Sequence, residues 1–398
     1  MILLKAFSKN PYLLFCIFFK PLSVAFFTVI NRPLMKPPAF SPRFFFIATV
    51  TAIVTITIVG WSLWSLSAAQ YRRIIDGWID EGRAAGYQIS YDKRQTFGFP
   101  RHIVMRLANL HWRNADGIDF RTDDMDIEVT PWNWNQFDAK FKNHVSLAAP
   151  LDTEGRALML SSGEGRAHIK LDDDGIWTRA ELALRDAKLG LSPNYLFGAE
   201  RLSVAVERPV DPPKDHTQAG LSLEGEADSI DVPEAMPSPF GNKANKLSMH
   251  MRVMGPVPDV RKRSSVDAWN KDSGIVEFDD FSIDWGVLNM ESKGTLGFDD
   301  DLQPEGAFAG TVAKPKETMQ ALIDKGFVAM HDQDMLDAMM EMFARPAPHG
   351  SKGMDMPITV QLGGLFFGPV RVTTFPEIEW PAAPPVAAQT SDAAPVSN

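Results

Sequence analysis

The chain has 398 residues, 45% of them hydrophobic, with 40 basic and 50 acidic side chains and a net charge of −10. Six of the bases precede Phe44 without a single acid, so residues 44–398 hold 34 bases against 50 acids, or −16, which argues against nucleic acid as a partner because its binding depends on basic patches and counterion release. Cys16 is the only cysteine, so the rest of the chain forms no internal disulfide and no thiolate metal site, and its stability must come from packing a core that this length can supply.

In chain order, residues 1–43 read as a cytoplasmic segment. Within it Pro11–Ile30 is apolar but broken by Lys20 and Pro21 into pieces too short to span a bilayer, and a start at Met35 is the simplest account of this region. Phe44–Leu66 follows as a charge-free run of 23 positions. At helical rise it would measure about 34 Å, against a hydrocarbon core of about 30 Å. Many of its residues are β-branched, but a strand of this length would leave open edges that lipid cannot satisfy. Trp61 and Trp64 lie near its far end, where indole rings favour the headgroup level. Lys5, Lys9, Lys20, Arg32, Lys36 and Arg43 stand before the run, while only Arg72 and Arg73 follow it before Asp76, so the amino terminus is expected in the cytoplasm. The run is longer than a signal-peptide apolar core of roughly 7–15 residues, which favours a retained anchor over a cleaved leader.

Residues 67–86 are expected to continue as a juxtamembrane helix, with Tyr71, Ile74, Ile75, Trp78 and Ile79 on one face and Gly86 at its end. That apolar stripe is expected to lie on the first sheet. From Tyr87 the period changes to two. Ile103, Met105 and Leu107 alternate with Val104, Arg106 and Ala108; Met125, Ile127 and Val129 alternate with Asp124, Asp126 and Glu128. Further strands are read at Leu182–Leu189, Leu202–Val206, Leu221–Glu226, Leu247–Val253, Ile275–Ile283, Leu288–Phe298 and Ala307–Val312. Each has one wet and one dry face, as antiparallel strands do. The fold class is therefore mainly β with a few helices: one membrane helix, then an elongated, curved antiparallel-sheet domain over 87–380, as one body or as two sub-domains meeting near 209–220.

Asp172-Asp173-Asp174-Gly175 and Asp299-Asp300-Asp301 lack the alternating ligand spacing of a calcium loop and read as hairpin turns. Arg261-Lys262-Arg263 reads as a solvated turn in a Pro- and Ser-rich loop region. Near the carboxyl end, Lys316–Phe327 places Met319, Leu322, Ile323 and Phe327 on one helical face, and a second helix gathers Met335, Leu336, Met339, Met340 and Phe343 before Pro346. The methionines of that second stripe could serve as an apolar lid, with ordinary core packing the plainer reading. Pro357–Thr374 returns to strand around a turn at Gly363-Gly364, and residues 381–398, rich in Pro, Ala, Ser and Thr, read as a disordered tail.

No zinc-binding His-Glu-x-x-His, phosphate loop, dinucleotide fingerprint or Gly-x-Ser-x-Gly elbow occurs. Eight histidines are scattered, and strict alternation would set His102 and His111 on opposite faces. The expectation is a protein without catalysis, cofactor or metal.

Gly98-Phe99-Pro100 before an alternating strand, Pro131-Trp132 after one, and Gly364-Leu-Phe-Phe-Gly368-Pro369-Val370 with Pro376 beyond together resemble domain-of-unknown-function family 2125 of Gram-negative bacteria, over most of residues 60–378. Arg101 stands where family members carry an apolar or aromatic residue. Independently of the family, these glycines and prolines suit bends, strand openings and edge turns. More remotely, Ile283-Asp-Trp-Gly and Thr295-Leu-Gly-Phe resemble repeats of AsmA-like envelope proteins, a resemblance that implies an apolar trough for lipid. Together these imply an inner-membrane, single-pass protein with its main domain in the periplasm. Two functions compete: binding or handling of phospholipid or another apolar ligand on a curved sheet, and an envelope scaffold whose acidic surface recruits a protein partner.

Overall fold

The computed structural model describes residues 42–151, 156–191, 194–233, 238–260, 262–327, 334, 338, 353–368, 370–375, 377–378 and 380. The amino-terminal segment with Cys16 and Met35, the proposed lid residues Met335, Leu336, Met339, Met340 and Phe343, Pro369, Pro376 and the tail from 381 lie outside them. The chain divides into two compact units. The first runs to Val210 and takes in Glu224–Pro237 and Gly241–Leu247; the second holds Asp211–Leu223, Ser238–Phe240 and the chain from Ser248 onward.

In the first unit the apolar run and the following amphipathic stretch form one helix, α1 (Pro42–Ala84). Its charge-free part is exposed through Val59, whereas Ala68, Tyr71 and Ile75 are buried. Gly86, with a φ of 86°, ends it: the Tyr87 N–H donates to the Gly82 carbonyl and the Gly86 N–H to that of Arg83, the paired bonds of a Schellman stop. Nine antiparallel strands follow: β1 (Gln88–Ser90), β2 (Lys93–Phe97), β3 (Ile103–Arg113), β4 (Asp119–Thr130), β5 (Asn133–Pro150), β6 (Ala157–Ser162), β7 (Glu164–Leu171), β8 (Trp177–Leu191) and β9 (Asn194–Glu207). β3 pairs with β1, β2 and β4; β5 pairs with β4, with β6 along its second half and with β7 along its first; β8 pairs with β6, β7 and β9. The core gathers the α1 stripe with Ile103, Met105, Leu107, Val129, Phe141 and Leu184.

Alternation is not continuous along these strands. Asn109, Asn143 and Asp186 adopt left-handed φ values of 50°, 69° and 52°, a region that Asn and Asp enter at small cost. At Asn109 the buried positions of β3 change from 103, 105 and 107 to 110. This corrects the expectation for the histidines: with the parity reversed, His102 and His111 share the outer face. The His111 Nε2 lies 2.9 Å from Asp119, and the His102 Nδ1 lies 2.8 Å from Glu128 but out of line for a hydrogen bond.

In the second unit β12 (Val276–Trp285), β13 (Leu288–Phe298), β14 (Pro304–Val312), β15 (Met354–Gln361), β16 (Gly364–Phe367) and β17 (Val370–Thr374) pair consecutively and antiparallel. Leu288, Met290, Val312, Met354, Met356, Ile358 and Phe367 form its core. The helix expected at Lys316–Phe327 is α3 (Pro315–Asp324), with Met319 and Leu322 buried. A further helix, α2 (Arg263–Lys271), begins at the last residue of the basic run read as a turn, and just before it the Lys262 N–H donates to the Asp259 carbonyl. Only Val266 and Trp269 are buried on it, three positions apart, too short a signal to stand out in a polar segment. β10 (Ala219–Asp231) and β11 (Lys243–Met254) contribute residues to both units.

Both aspartate clusters are turns. Asp172 Oδ1 accepts the N–H groups of Asp174 and Ile176, and Asp299 Oδ1 those of Asp301 and Gln303, so the leading carboxylate of each cluster organises the backbone between two strands.

Candidate functional site

The inner face of the first unit is built from three rows that cross β5, β7, β8 and β9. By register they are Phe137–Ile169–Ala180–Val206, Ala139–Ala167–Leu182–Val204 and Phe141–Gly165–Leu184–Leu202. Every position is apolar or glycine, because each is an alternate residue of its strand. α1 lies over the β5 end, where Trp78 meets Phe137 at 5.9 Å between ring centroids and Tyr71 meets Trp134 at 6.1 Å. Cover diminishes along the strands, from the Phe141 row toward the Phe137 row. Leu184 is buried, but Leu182, Leu202, Val204 and Val206 are only half-buried and Ile169 is 39% exposed. The result is an apolar strip, shallow over Ala139, Ala167 and Ala180, that continues from the core under α1.

The outer face is the chemical opposite. Asp126, 6% exposed although charged, accepts from Arg106 Nε at 2.6 Å and Nη2 at 2.8 Å and from Lys142 at 2.9 Å. Glu128 pairs with Lys140, Asp119 with Arg121 and His111, Asp138 with His168, and Arg179 with both Glu181 and Glu207. The Arg121 guanidinium, with His111 adding to it, draws the Asp119 carboxyl down to about 2, and Arg106, followed by Lys142, lowers that of Asp126. Since both folded carboxyls are more acidic than in the unfolded chain, their contribution is complete above the ordinary value of 3.8 and disappears as pH falls toward 2. Urea midpoints measured from pH 5 to 2 should therefore fall, and Asp119→Asn and Asp126→Asn should each flatten that fall.

The sequence motifs sort into both units. Gly98, Phe99 and Pro100, with a cis Phe99–Pro100 bond, form the β2–β3 turn; Pro131 and Trp132 form the β4–β5 turn. Pairing of Ile103 with Val129 brings these two turns to one end of the sheet. Phe99 does not enter the core: it is 39% exposed, its ring edge-on to Trp64 at 6.0 Å, while the Trp64 indole N–H donates to the His102 carbonyl. Gly364 opens β16, and the Gly368 N–H donates to the Pro357 carbonyl. Gly98 has φ 113°, and a Cβ there would stand 2.6 Å from the His102 carbonyl oxygen. Gly98→Ala is expected to cost about 2–4 kcal/mol through combined clash and backbone strain, read as a lower urea midpoint.

Residues 64–376 match the model of a family described as an uncharacterized protein conserved in bacteria, DUF2125. The chain belongs to the DUF2125 family. The matched span of this DUF2125 protein opens at Trp64, the first α1 residue packed on the core, and so leaves out nearly all of the charge-free run. No curated protein matches the chain. Among the described residues no three His, Cys, Asp or Glu side chains converge as a metal site. Sequence reading missed Ile169, Val204 and Val206. Their alternation was visible; what covers them was not.

Proposed function

We propose that this DUF2125 protein is a single-pass inner-membrane protein whose β units lie in the periplasm, and that it binds lipid acyl chains, without catalysis, along the strip formed by Ile169, Leu182, Val204 and Val206. The observation that carries the reading is the continuity of that half-open apolar face with α1, a helix whose most apolar 18-residue window has a mean hydropathy of 2.1 and is not buried at all. An apolar face beside a bilayer-spanning stem has lipid as its nearest occupant. The rival, recruitment of a protein by the acidic surface, is less well supported in the first unit: Asp119, Asp126, Glu128, Asp138, Glu181 and Glu207 already pair with basic side chains of the same sheet. Adjacent positions on β9 provide the test, since Val206 faces the strip and Ala205 the other side. A photoreactive residue at Val206 should cross-link phospholipid in cells and one at Ala205 should not. Equal yields at the two positions, or protein adducts in place of lipid, would sink the proposal.

A further inference from the structure

The contacts of α1 give its level against the strands. From Tyr71 to Trp78 the helix rises about 10.5 Å; from Trp134 to Phe137, their respective ring partners, β5 advances about 10 Å. Helix and strand therefore run in step. Carried two residues back along β5, about 7 Å, the same register sets Trp132 level with Leu66 or Ser67. The β2–β3 turn stands at a similar height, because Phe99 and the His102 carbonyl both meet Trp64. Both turns thus lie where the charge-free run ends, before the first charge of the following stretch, Arg72.

Their side chains suit that level. Trp132 is 72% exposed at the tip of its turn, Trp61 58% on the helix and Phe99 39% against Trp64, and Arg101 is exposed on the same turn as Phe99. A tryptophan so exposed at a turn tip gains nothing from the fold. Indole rings partition to the headgroup layer, where an apolar body and a polar N–H are both accommodated, and an arginine there meets lipid phosphate.

We propose that the Gly98–His102 and Pro131–Trp132 turns form a docking surface for the bilayer that α1 crosses, with Trp61, Phe99 and Trp132 seated among the headgroups and Arg101 on lipid phosphate. This surface rests on the membrane-spanning reading of α1 and is separate from the acyl-chain strip. It would fix the first unit upright on the membrane, with the Phe137 row the end of the strip nearer the lipid.

The test uses the full chain with Cys16→Ser, reconstituted into vesicles of phosphatidylethanolamine and phosphatidylglycerol and spin-labelled singly at Trp132→Cys, Arg101→Cys, Ile53→Cys or Ala115→Cys. Ala115 lies in the β3–β4 turn at the opposite end of the sheet. Collision of the label with oxygen should exceed collision with a water-soluble nickel chelate at Ile53 and at Trp132, approach balance at Arg101, and reverse at Ala115. A Trp132 label as water-exposed as that at Ala115, with the Ile53 label still in lipid, would overturn the docking surface alone. A water-exposed label at Ile53 would overturn the membrane-spanning reading and the docking surface with it.

Discussion

Tyr71→Ala is expected to lower the unfolding free energy of the first unit by about 3–5 kcal/mol, the range for truncating a large buried aromatic. Tyr71 is 0% exposed and sits between α1 and β5, so its removal opens a cavity at the contact that ties the stem to the sheet. The hydroxyl adds a second, opposite expectation. Burial raises its pKa well above the usual phenol range, and it has no hydrogen-bond partner among the described residues. Tyr71→Phe removes that desolvated group without a cavity and should stabilise by about 1 kcal/mol. Urea titration of the detergent-solubilised full chain, followed by near-ultraviolet circular dichroism, would separate the two effects. A Tyr71→Phe midpoint below that of the native protein would contradict the assignment.

Trp269→Ala should be comparably damaging in the second unit, at about 3–5 kcal/mol. Trp269 is 6% exposed, its indole N–H donates to the Met254 carbonyl at 2.9 Å, and its ring lies so close to Gly274 that a Cβ there would overlap it at 2.2 Å. The other holds of α2 are Val266, its only other buried residue, and Asn270, whose side-chain amide donates to the Phe298 carbonyl and accepts from the Phe298 N–H. Amide exchange should show Arg263–Lys271 losing protection in Trp269→Ala, while Trp269→Phe, which keeps most of the packing, loses about 1–2 kcal/mol with the indole bond. Protection of α2 unchanged in Trp269→Ala would show that other contacts hold it.

Periodicity made most of this architecture legible. Ile103, Met105 and Leu107 against Arg106, and Met290 against Glu291, sort onto inner and outer faces because a strand alternates its side chains. The helices over Tyr71–Ile79 and Met319–Leu322 were equally plain, each with apolar residues three and four apart. What stayed hidden depended on neighbours distant in sequence. The reversal at Asn109 lies opposite Asp123 on the next strand, and it moved His111 to the face that alternation denied it. α2 was missed because two large apolar residues among nine make no pattern by themselves. Gly98-Phe99-Pro100 was recognised as a bend, but not that its ring would meet Trp64, some 35 positions earlier in the chain. The half-open strip is the same kind of case. Val204 and Val206 look like any inner-face valines until the fold shows them only half-buried.

The proposed function requires the β units to lie outside the cytosol, and a cysteine at Ala115 in the Cys16→Ser chain would report the side directly. In intact spheroplasts a membrane-impermeant maleimide should label Ala115→Cys as fully as it does after lysis, while a cytosolic thiol protein remains unlabelled. Labelling of Ala115→Cys only after lysis would place the sheet in the cytosol and overturn the proposed function.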